Sequence, residues 1–193
     1  ADRCIGCGNC VRVCSRNAKV VRNSKDSVSG LLKTDFRVAA LVAPSFPAEF
    51  PAVSYRRVVS MFRELGFDYV VEVAFGADLV SAEYRKLIKN SESGSNYLGT
   101  TCPAIVFYIE KYHPSLVPHL APIASPMIAC ARGVHKIYGS DVKTVFIGPC
   151  IAKKDEALRS DLAGDVYEVL TFTEISEMFV EAGINPDNVT PTE

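Results

Sequence analysis

From residue 36 onward, short apolar runs alternate with segments of helical periodicity, and this alternation limits the fold more than any other feature of the chain. The predicted strands cover residues 36–44, 67–75, 96–102, 142–148 and 165–172. The predicted helices cover residues 53–65, 76–90, 103–112, 127–138 and 173–183. Strands that alternate with helices imply right-handed crossovers and parallel pairing. The sequence therefore predicts an α/β fold with a doubly wound, mostly parallel sheet.

The carboxyl edge of this predicted sheet is the place to look for a site, because open parallel sheets bind ligands there. Cys102 and Cys150 each come directly after a predicted strand. The segments 43–45 and 75–78 are predicted turns at the same edge. We therefore expect four loops to point to one place, and two of them to carry a thiol.

Four cysteines fall within eleven residues at the start of the chain, in the spacing C-x2-C-x2-C-x3-C. They are Cys4, Cys7, Cys10 and Cys14. This short, regular spacing lets one loop wrap a [4Fe–4S] cluster, with glycines allowing close backbone approach. A four-cysteine zinc site is the alternative, although zinc ligands more often come as two separated pairs. The fourth cysteine has a second reading, because in two-cluster ferredoxins it ligates the other cluster. The sequence predicts a ferredoxin-like segment plus a polar linker over residues 1–35.

The composition excludes several classes of partner. The chain has 193 residues, with 21 basic and 22 acidic side chains, so its overall charge predicts neither nucleic acid nor an anionic membrane as a partner. No apolar run approaches the roughly 20 residues of a spanning helix, and the first residues have no signal-peptide pattern. Clustered thiols without a signal favour metal ligands in a reducing compartment, so we expect a cytoplasmic protein.

The other three of the seven cysteines stand alone in the sequence. Cys130 falls on the apolar stripe of a predicted helix and is interpreted as a core residue. Cys102 is at a helix N-terminus, and Cys150 has Lys153 and Lys154 nearby, so both surroundings favour thiolate. Either thiol suits a nucleophile, but no histidine falls at a predicted strand end. Two thiolates at one sheet edge fit a metal cluster better.

Two segments carry a resemblance to a known family. "GPCIAKKDEA" at 148–157 resembles the P-C-x-x-K-x-x-E signature of [FeFe]-hydrogenase large subunits, and "GTTCPAIV" at 99–106 resembles their T-S-C-C-P-G-W signature. Further matches in order lie at 43–45, 75–78, 112–126 and 171–184. The resemblance covers about residues 36–185. It implies a first lobe of the iron-hydrogenase type over residues 36–164, and the start of a truncated second lobe over 165–193.

The resemblance implies roles for the matched residues. Cys102 and Cys150 would be two of four thiolates that hold the [4Fe–4S] part of a catalytic cluster, with or without a di-iron unit. Lys153 would donate a hydrogen bond to a cyanide ligand of that unit. Pro44 and Ser45 would line its pocket. Glu156 completes the signature, whereas Lys154 and Asp155 between the matched positions are expected to be the solvated start of a helix.

The departures from the family pattern fall on its proton path. Thr101 occupies the place of the proton-donating cysteine, and a hydroxyl with a pKa far above neutral cannot pass protons as a thiol does. Glu83 aligns poorly with the relay carboxylates, and Ala121 replaces the relay serine. The C-x-x-x-C pair that supplies two more cluster ligands is absent. Ile105 and Gly148 replace the tryptophan and the methionine of the two signatures.

A site that keeps metal ligands and loses its proton path should turn over slowly. We therefore expect a hydrogenase-like iron–sulfur protein that relays electrons or senses redox state or dihydrogen, in company with a redox protein or a signalling domain and with a C-terminal lobe that this chain lacks. Two alternatives stay open: a truncated piece of a catalytic [FeFe]-hydrogenase, and a hydrogenase-related factor of iron–sulfur cluster assembly.

Overall fold

The computed structural model describes residues 3–92 and 94–192, and its centre is a four-stranded sheet. The strands are β1 Val38–Val42, β2 Tyr69–Glu72, β3 Lys143–Gly148 and β4 Glu168–Thr171. Their order is β2-β1-β3-β4, and every neighbouring pair is parallel. The α/β fold with a parallel sheet, predicted from the alternation of strands and helices, is confirmed.

Helices pack on the sheet, and others precede its first strand and follow its last strand in the chain. They are α1 Asn9–Arg12, α2 Lys25–Leu31, α3 Phe46–Glu49, α4 Tyr55–Leu65, α5 Val73–Asn90, α6 Pro103–Tyr112, α7 Pro126–Tyr138, α8 Ala152–Ala157 and α9 Phe172–Glu181. Short 3-10 helices span Pro114–His119 and Ser160–Leu162. The ends follow local chemistry. Proline opens α6 and α7 at their first turn, and Thr171 and Glu174 form a capping box at the start of α9.

One apolar core lies on both faces of the sheet. All five residues of β1 are buried, as expected of a central parallel strand. Phe62 of α4 is fully buried and packs edge-to-face on Phe67 and Phe179. Gly76 of α5 lets that helix approach α7, since a β-carbon there would collide with the Pro126 carbonyl oxygen. The close α5–α7 pair therefore depends on a residue without a side chain.

Two of the predicted strands are wrong in part. The strand predicted over 67–75 ends at Glu72, and residues 75–78 lie inside α5 and not in a turn at the sheet edge. Val73, Gly76 and Val80 are buried at helical spacing, so packing on α7 decides in favour of helix. The strand predicted over 96–102 is reduced to one bridge between Leu98 and Leu120. Four loops therefore do not converge on the edge as expected.

Two predicted boundaries also differ from the structure. β4 pairs with β3 in register from Val145 to Gly148, and α9 packs on both strands. Residues from 165 onward therefore complete the first sheet, and the expectation that they begin a second lobe is wrong. The predicted linker within 1–35 contains α2, whose Val28 and Leu31 belong to the same core. We call residues 3–22 the head and the rest of the described chain the lobe. No helix in either is long and apolar enough to cross a membrane.

Candidate functional site

The strand order creates a crevice at one edge of the sheet. The chain leaves β1 towards β2 on one side and leaves β3 towards β4 on the other, so the topology switches between β1 and β3, which is where open α/β sheets bind ligands. The loops after these two strands run side by side. The Ala43 N–H donates to the Ile147 carbonyl oxygen at 2.8 Å, and a β-carbon at Gly148 would lie 2.9 Å from the Ala43 β-carbon.

A cavity of about 660 Å³ lies beside this edge, between the head and the lobe. Cys7 of the head lines it, together with Cys102 and Cys150 of the lobe. Cys102 arrives from the N-cap of α6 and Cys150 from the turn after β3. Cys102 and Cys150 thus line the same cavity, although Cys102 does not follow a strand of the sheet, and their role as a shared ligand pair stays a prediction.

Pro44 and Ser45 lie directly after β1 and are exposed. They occupy the switch point beside Gly148, but they are not among the residues that line the cavity. Pro44 and Ser45 thus lie at the predicted edge of the sheet but do not line the cavity. Their role as pocket residues stays a prediction.

The head folds as a loop whose backbone faces its own sulfurs. The Gly6 N–H donates to Cys4 Sγ, and the Ala18 N–H donates to Cys14 Sγ, each at 3.4 Å. The Ala18 N–H, followed by that of Arg16, lowers the pKa of the Cys14 thiol. Backbone N–H groups directed at sulfur stabilise thiolates and tune clusters in iron–sulfur proteins. The donor set therefore fits an iron–sulfur cluster.

The geometry of the side chains does not by itself assign the individual cluster ligands. Within residues 3–92 and 94–192, no three side chains of His, Cys, Asp or Glu lie close enough together to hold one ion. Cys4, Cys7 and Cys10 are exposed and Cys14 is half-buried. The assignment of the individual ligands stays a prediction.

Two glycines of the head lie in close contact with the segment that follows Cys150. Gly6 and Gly8 have φ of 71° and 75°, in the left-handed region. A β-carbon at Gly6 would lie 2.9 Å from Asp155 Oδ2, and one at Gly8 would lie 2.8 Å from Ile151 Cδ1. Both positions therefore favour glycine for the backbone conformation, and at Gly6 the Ala152 Cα, 3.1 Å from an added β-carbon, leaves little room for a side chain as well.

The other end of the head is held by α6. Lys111 Nζ donates to the Cys4 carbonyl oxygen at 2.6 Å, and the Tyr112 hydroxyl donates to the Arg3 carbonyl oxygen at 2.8 Å. Because Cys102 is the N-cap of α6, one helix fixes both a cavity cysteine and the first residues of the head.

Lys153 is buried beside the turn that precedes Cys102. Its Nζ donates to Glu156 Oε2 at 2.6 Å, to Ser125 Oγ at 3.1 Å and to the Thr101 carbonyl oxygen at 3.4 Å. Glu156 is also buried, so each charge has its partner in place. All three protons of the ammonium have protein acceptors, and the side chain ties the helix after Cys150 to the residue before Cys102.

Lys154 is buried as well, with 3% of its surface exposed, so the expectation that it is solvated is wrong. Its Nζ donates to Ser24 Oγ at 2.7 Å, and to Glu174 Oε1 and the Val169 carbonyl oxygen at 2.9 Å each. Asp155, by contrast, is exposed as expected. The sequence carries no local signal for this burial, because Ser24, Val169 and Glu174 belong to separate segments of the chain.

Glu174 and Glu168 complete the anchor of the segment after the head. Burial alone would raise the pKa of Glu174, but the Thr171 N–H, the Lys154 ammonium and the Ser24 N–H outweigh it, and the pKa lies below its ordinary value. Arg22 pairs with the buried Glu168 at 2.7 Å. These contacts hold the chain at residues 22–24 against β4 and α9.

The residues that depart from the family pattern are not among those that line the cavity. Thr101 is exposed, and Ala121 is buried and has no side-chain donor or acceptor. Glu83 forms an exposed ion pair with Lys86 at 2.7 Å. Cys130 is fully buried, and burial raises the pKa of its thiol to about 11, which confirms it as a core residue.

A parallel α/β lobe with two cysteines beside its switch point, joined to a loop of four cysteines, defines an iron–sulfur protein of the α/β class. The family model of the iron only hydrogenase large subunit, C-terminal domain, matches residues 36–193, and that of a 4Fe-4S binding domain matches residues 1–20. The chain belongs to the iron-only hydrogenase large subunit family.

Relatives of two kinds are similar to this chain. The periplasmic [Fe] hydrogenase large subunit of Nitratidesulfovibrio vulgaris is 32% identical over 151 residues, which cover 69% of this chain and 36% of that protein. The cytosolic Fe-S cluster assembly factor NAR1 homolog of Schizosaccharomyces japonicus is 29% identical over 156 residues, which cover 65% of this chain and 30% of that protein. The chain thus spans about a third of the length of these curated relatives.

A solved structure agrees with the fold. A variant of the [FeFe]-hydrogenase HydA1 from Chlamydomonas reinhardtii superposes with a TM-score of 0.75 at 26% identity, over 89% of this chain and 50% of that one. The resemblance stated from the two cysteine signatures is therefore confirmed at the level of family and fold.

Proposed function

We propose that this chain carries electrons between two iron–sulfur sites within a longer, hydrogenase-like protein. Cys4, Cys7, Cys10 and Cys14 would hold a [4Fe–4S] cluster in the head. Cys102 and Cys150 would supply two thiolates of a second cluster, whose other ligands come from outside this chain. A cluster of this kind, when bound, exchanges single electrons. The observation that carries the proposal is the cavity that Cys7 lines together with Cys102 and Cys150.

The same residues favour a regulatory or relaying role over rapid turnover. Lys153 has protein acceptors for all three protons, at Glu156, Ser125 and Thr101. The residue before Cys102 is a threonine, whose hydroxyl does not exchange protons near neutral pH. Glu83 is engaged with Lys86 on an exposed face. These side chains can hold the second site in place, and their hydrogen bonds and ion pairs are satisfied within the protein.

The clustered cysteines of the head also favour a reducing compartment. We propose that this compartment is the cytoplasm. The partner that this role requires is a redox protein or a signalling domain that reads the state of the clusters.

The test uses the full-length protein, loaded with clusters without oxygen, beside a catalytic [FeFe]-hydrogenase assayed in parallel. We expect four irons and four sulfides in the head, because four thiolates and one cubane are matched in number. We expect dihydrogen evolution at least about 100-fold below that of the catalytic enzyme, since a positioned general acid contributes about 10²- to 10⁴-fold. Rates equal to those of the catalytic enzyme would refute the regulatory role, and zinc without iron would refute the cluster.

Cluster assembly is the second candidate function, because relatives named as cytosolic Fe-S cluster assembly factors are 29% to 31% identical to this chain. A loaded full-length protein with this function passes its cluster to an apo-protein that needs one, and the transfer is followed by activation of the recipient. Retention of all iron in the presence of the recipient would exclude this function.

A further inference from the structure

The two cysteines of the lobe that line the cavity each precede a short helix. Cys102 is the N-cap of α6, and Cys150 lies two residues before the start of α8. The N–H groups of Ile105 and Val106, in the first turn of α6, donate to the Cys102 carbonyl oxygen at 3.1 and 3.2 Å. The orientation of Cys102 therefore follows that of α6, and its position relative to Cys150 depends on how α6 lies against α8.

The apolar core does little to fix α6. Among the described residues, the core around the sheet includes no side chain of α6. A second cavity, of about 450 Å³, lies between α6 and the segment that begins with α8. Helix α6 lines it with Val106, Phe107 and Glu110, and the other segment lines it with Glu156 and Arg159. Side chains that face a cavity lack packing partners on that side, so the polar contacts between the two segments gain weight.

Polar contacts join the two segments at two points along α6. At its start, Lys153 Nζ donates to the Thr101 carbonyl oxygen at 3.4 Å, which is long for a bond from a charged donor. In its third turn, Arg159 Nη1 donates to Glu110 Oε1 at 2.8 Å and to Oε2 at 3.1 Å. The Arg159 guanidinium also pairs with Asp161 at 3.0 Å, so its plane is held from two sides. The contact in the third turn is therefore the better defined of the two.

We infer that Glu110 and Arg159 are positioning residues for Cys102. The contact at Thr101 alone acts as a pivot, because it attaches the helix only at its first residue. A second attachment about 12 Å further along, at 1.5 Å per residue, fixes the direction of the helix axis. The inference rests on the proposed function, because it says what keeps the two thiolates of the lobe in place for one cluster.

Two simpler roles for this ion pair predict different results. Lys111 and Tyr112 follow Glu110 directly and hold the start of the head, so a pair that serves the head should affect the head cluster first. A pair that only stabilises the lobe should act like any other two-pronged pair of the lobe. Arg132 and Asp165 form such a pair, at 2.7 Å, and join α7 to the chain before β4. They supply the matched control.

The first measurement is hydrogen exchange of the full-length protein without clusters. Glu110→Ala removes both acceptors and leaves Arg159 paired with Asp161. Alanine has the highest helix propensity, so the change does not weaken α6 by itself. Exchange at Ile105 and Val106 should nevertheless become roughly fivefold faster, which corresponds to the upper end of the contribution of a partly exposed ion pair.

The second measurement follows the same variants after they are loaded with clusters without oxygen. In Glu110→Ala, the lobe site should release iron to a chelator about tenfold faster, as is usual when a residue that orients a metal ligand is removed. The EPR spectrum of the lobe cluster should change as well. Glu110→Gln keeps an acceptor for Arg159 and should restore the rate and the spectrum. Asp165→Ala should leave both unchanged, together with exchange at α6. Repetition with Cys4→Ser, which removes the head cluster, separates the iron of the two sites.

Three results would overturn the inference. One is equal exchange at the first turn of α6 in Glu110→Ala and in the unchanged protein. Another is an equal effect of Asp165→Ala, which would assign both pairs to general stability. The third is faster release of iron from the head alone, which would assign the pair to the head. Failure of the proposed function gives a different result: an unchanged protein without iron at Cys102 and Cys150 would refute the second cluster, and hydrogen exchange would still decide whether the pair positions Cys102.

Discussion

The head and the lobe of this chain differ in how much of each is buried. Gly6 is the only buried residue among 3–22, whereas all five residues of β1 are buried in the lobe. The lobe is stabilised by apolar burial around its sheet. The head is held by its contacts to the lobe and, in our proposal, by its cluster. The comparison teaches that one chain can combine a part that folds on its own core with a part whose shape depends on what it binds.

The largest effect expected is complete loss of the cluster from the head with little change in the stability of the lobe. Cys4→Ser should abolish the iron absorbance of the head completely, because one thiolate ligand is removed. The free energy of unfolding of the lobe should change by less than about 1 kcal/mol, since Cys4 is exposed and contributes nothing to the core. Iron analysis and denaturant unfolding check both parts. Cys130→Ala is the matched control, and it should retain the iron; a protein that loses iron with this change as well would contradict the separation of the two regions.

A core substitution should have the converse effect. Phe62→Ala removes a fully buried ring from the contacts with Phe67 and Phe179, and should lower the free energy of unfolding by about 3–5 kcal/mol. Val20→Ala in the head, where the side chain is 87% exposed, should cost less than about 0.5 kcal/mol. Chemical denaturation measures both. A similar loss from the two changes would mean that the head shares the core.

Removal of the contacts that anchor the segment after the head should have the next largest effect on the free energy of unfolding. Lys154→Met leaves Glu174 buried without its cation and should cost about 3 kcal/mol, which is the usual effect of removing one partner of a buried pair. The matched control is Lys25→Met, because Lys25 pairs with the exposed Glu177 and Glu181, and this change should cost less than about 1 kcal/mol. The double variant Lys154→Met/Glu174→Gln should recover part of the loss. Hydrogen exchange at residues 22–24 should rise in Lys154→Met alone, and unchanged exchange there would contradict the anchor.

The smallest effect expected is a dependence of stability on acid. The pKa of Glu174 is lowered in the folded chain from its ordinary value of 4.5. A carboxyl with a lowered pKa adds stability that is complete above the pKa of the unfolded chain and is lost as the pH falls through the folded value. Urea unfolding of the lobe should therefore become easier below pH 4.5. Glu174→Gln should show a smaller decrease over the same range, and an equal decrease would assign the effect to other carboxyls.

Much of the fold could be predicted from local pattern, and the failures have physical causes. The buried strands around Val38–Val42 and Lys143–Gly148 are short apolar runs with turn residues after them, so their position was clear. Residues 67–75 form a longer apolar run, which fits a strand and a buried helix equally well. Its second half becomes helix because Gly76 allows contact with α7, a partner that lies about fifty residues away in the sequence.

The site was predictable in its residue types and less so in its supports. Cys102 and Cys150 line one cavity, but only Cys150 follows a strand of the sheet, since the strand predicted before Cys102 is a single bridge. The burial of Lys154 could not be read from "KKDE", since adjacent lysines usually face water. Its partners Ser24, Val169 and Glu174 come from three distant segments that only the folded sheet brings together.

The six-residue helix α8 bears two adjacent lysines that hold different parts of the molecule. Lys153 donates to the Thr101 carbonyl oxygen, directly before Cys102, and Lys154 donates to Ser24 Oγ, two residues after the end of the head. Helix α8 therefore connects the segment after the head to the turn that carries Cys102. Because the two lysines are neighbours on one short helix, a displacement of Ser24 should also act on the turn before Cys102, so α8 connects the position of the head to that of a cavity cysteine.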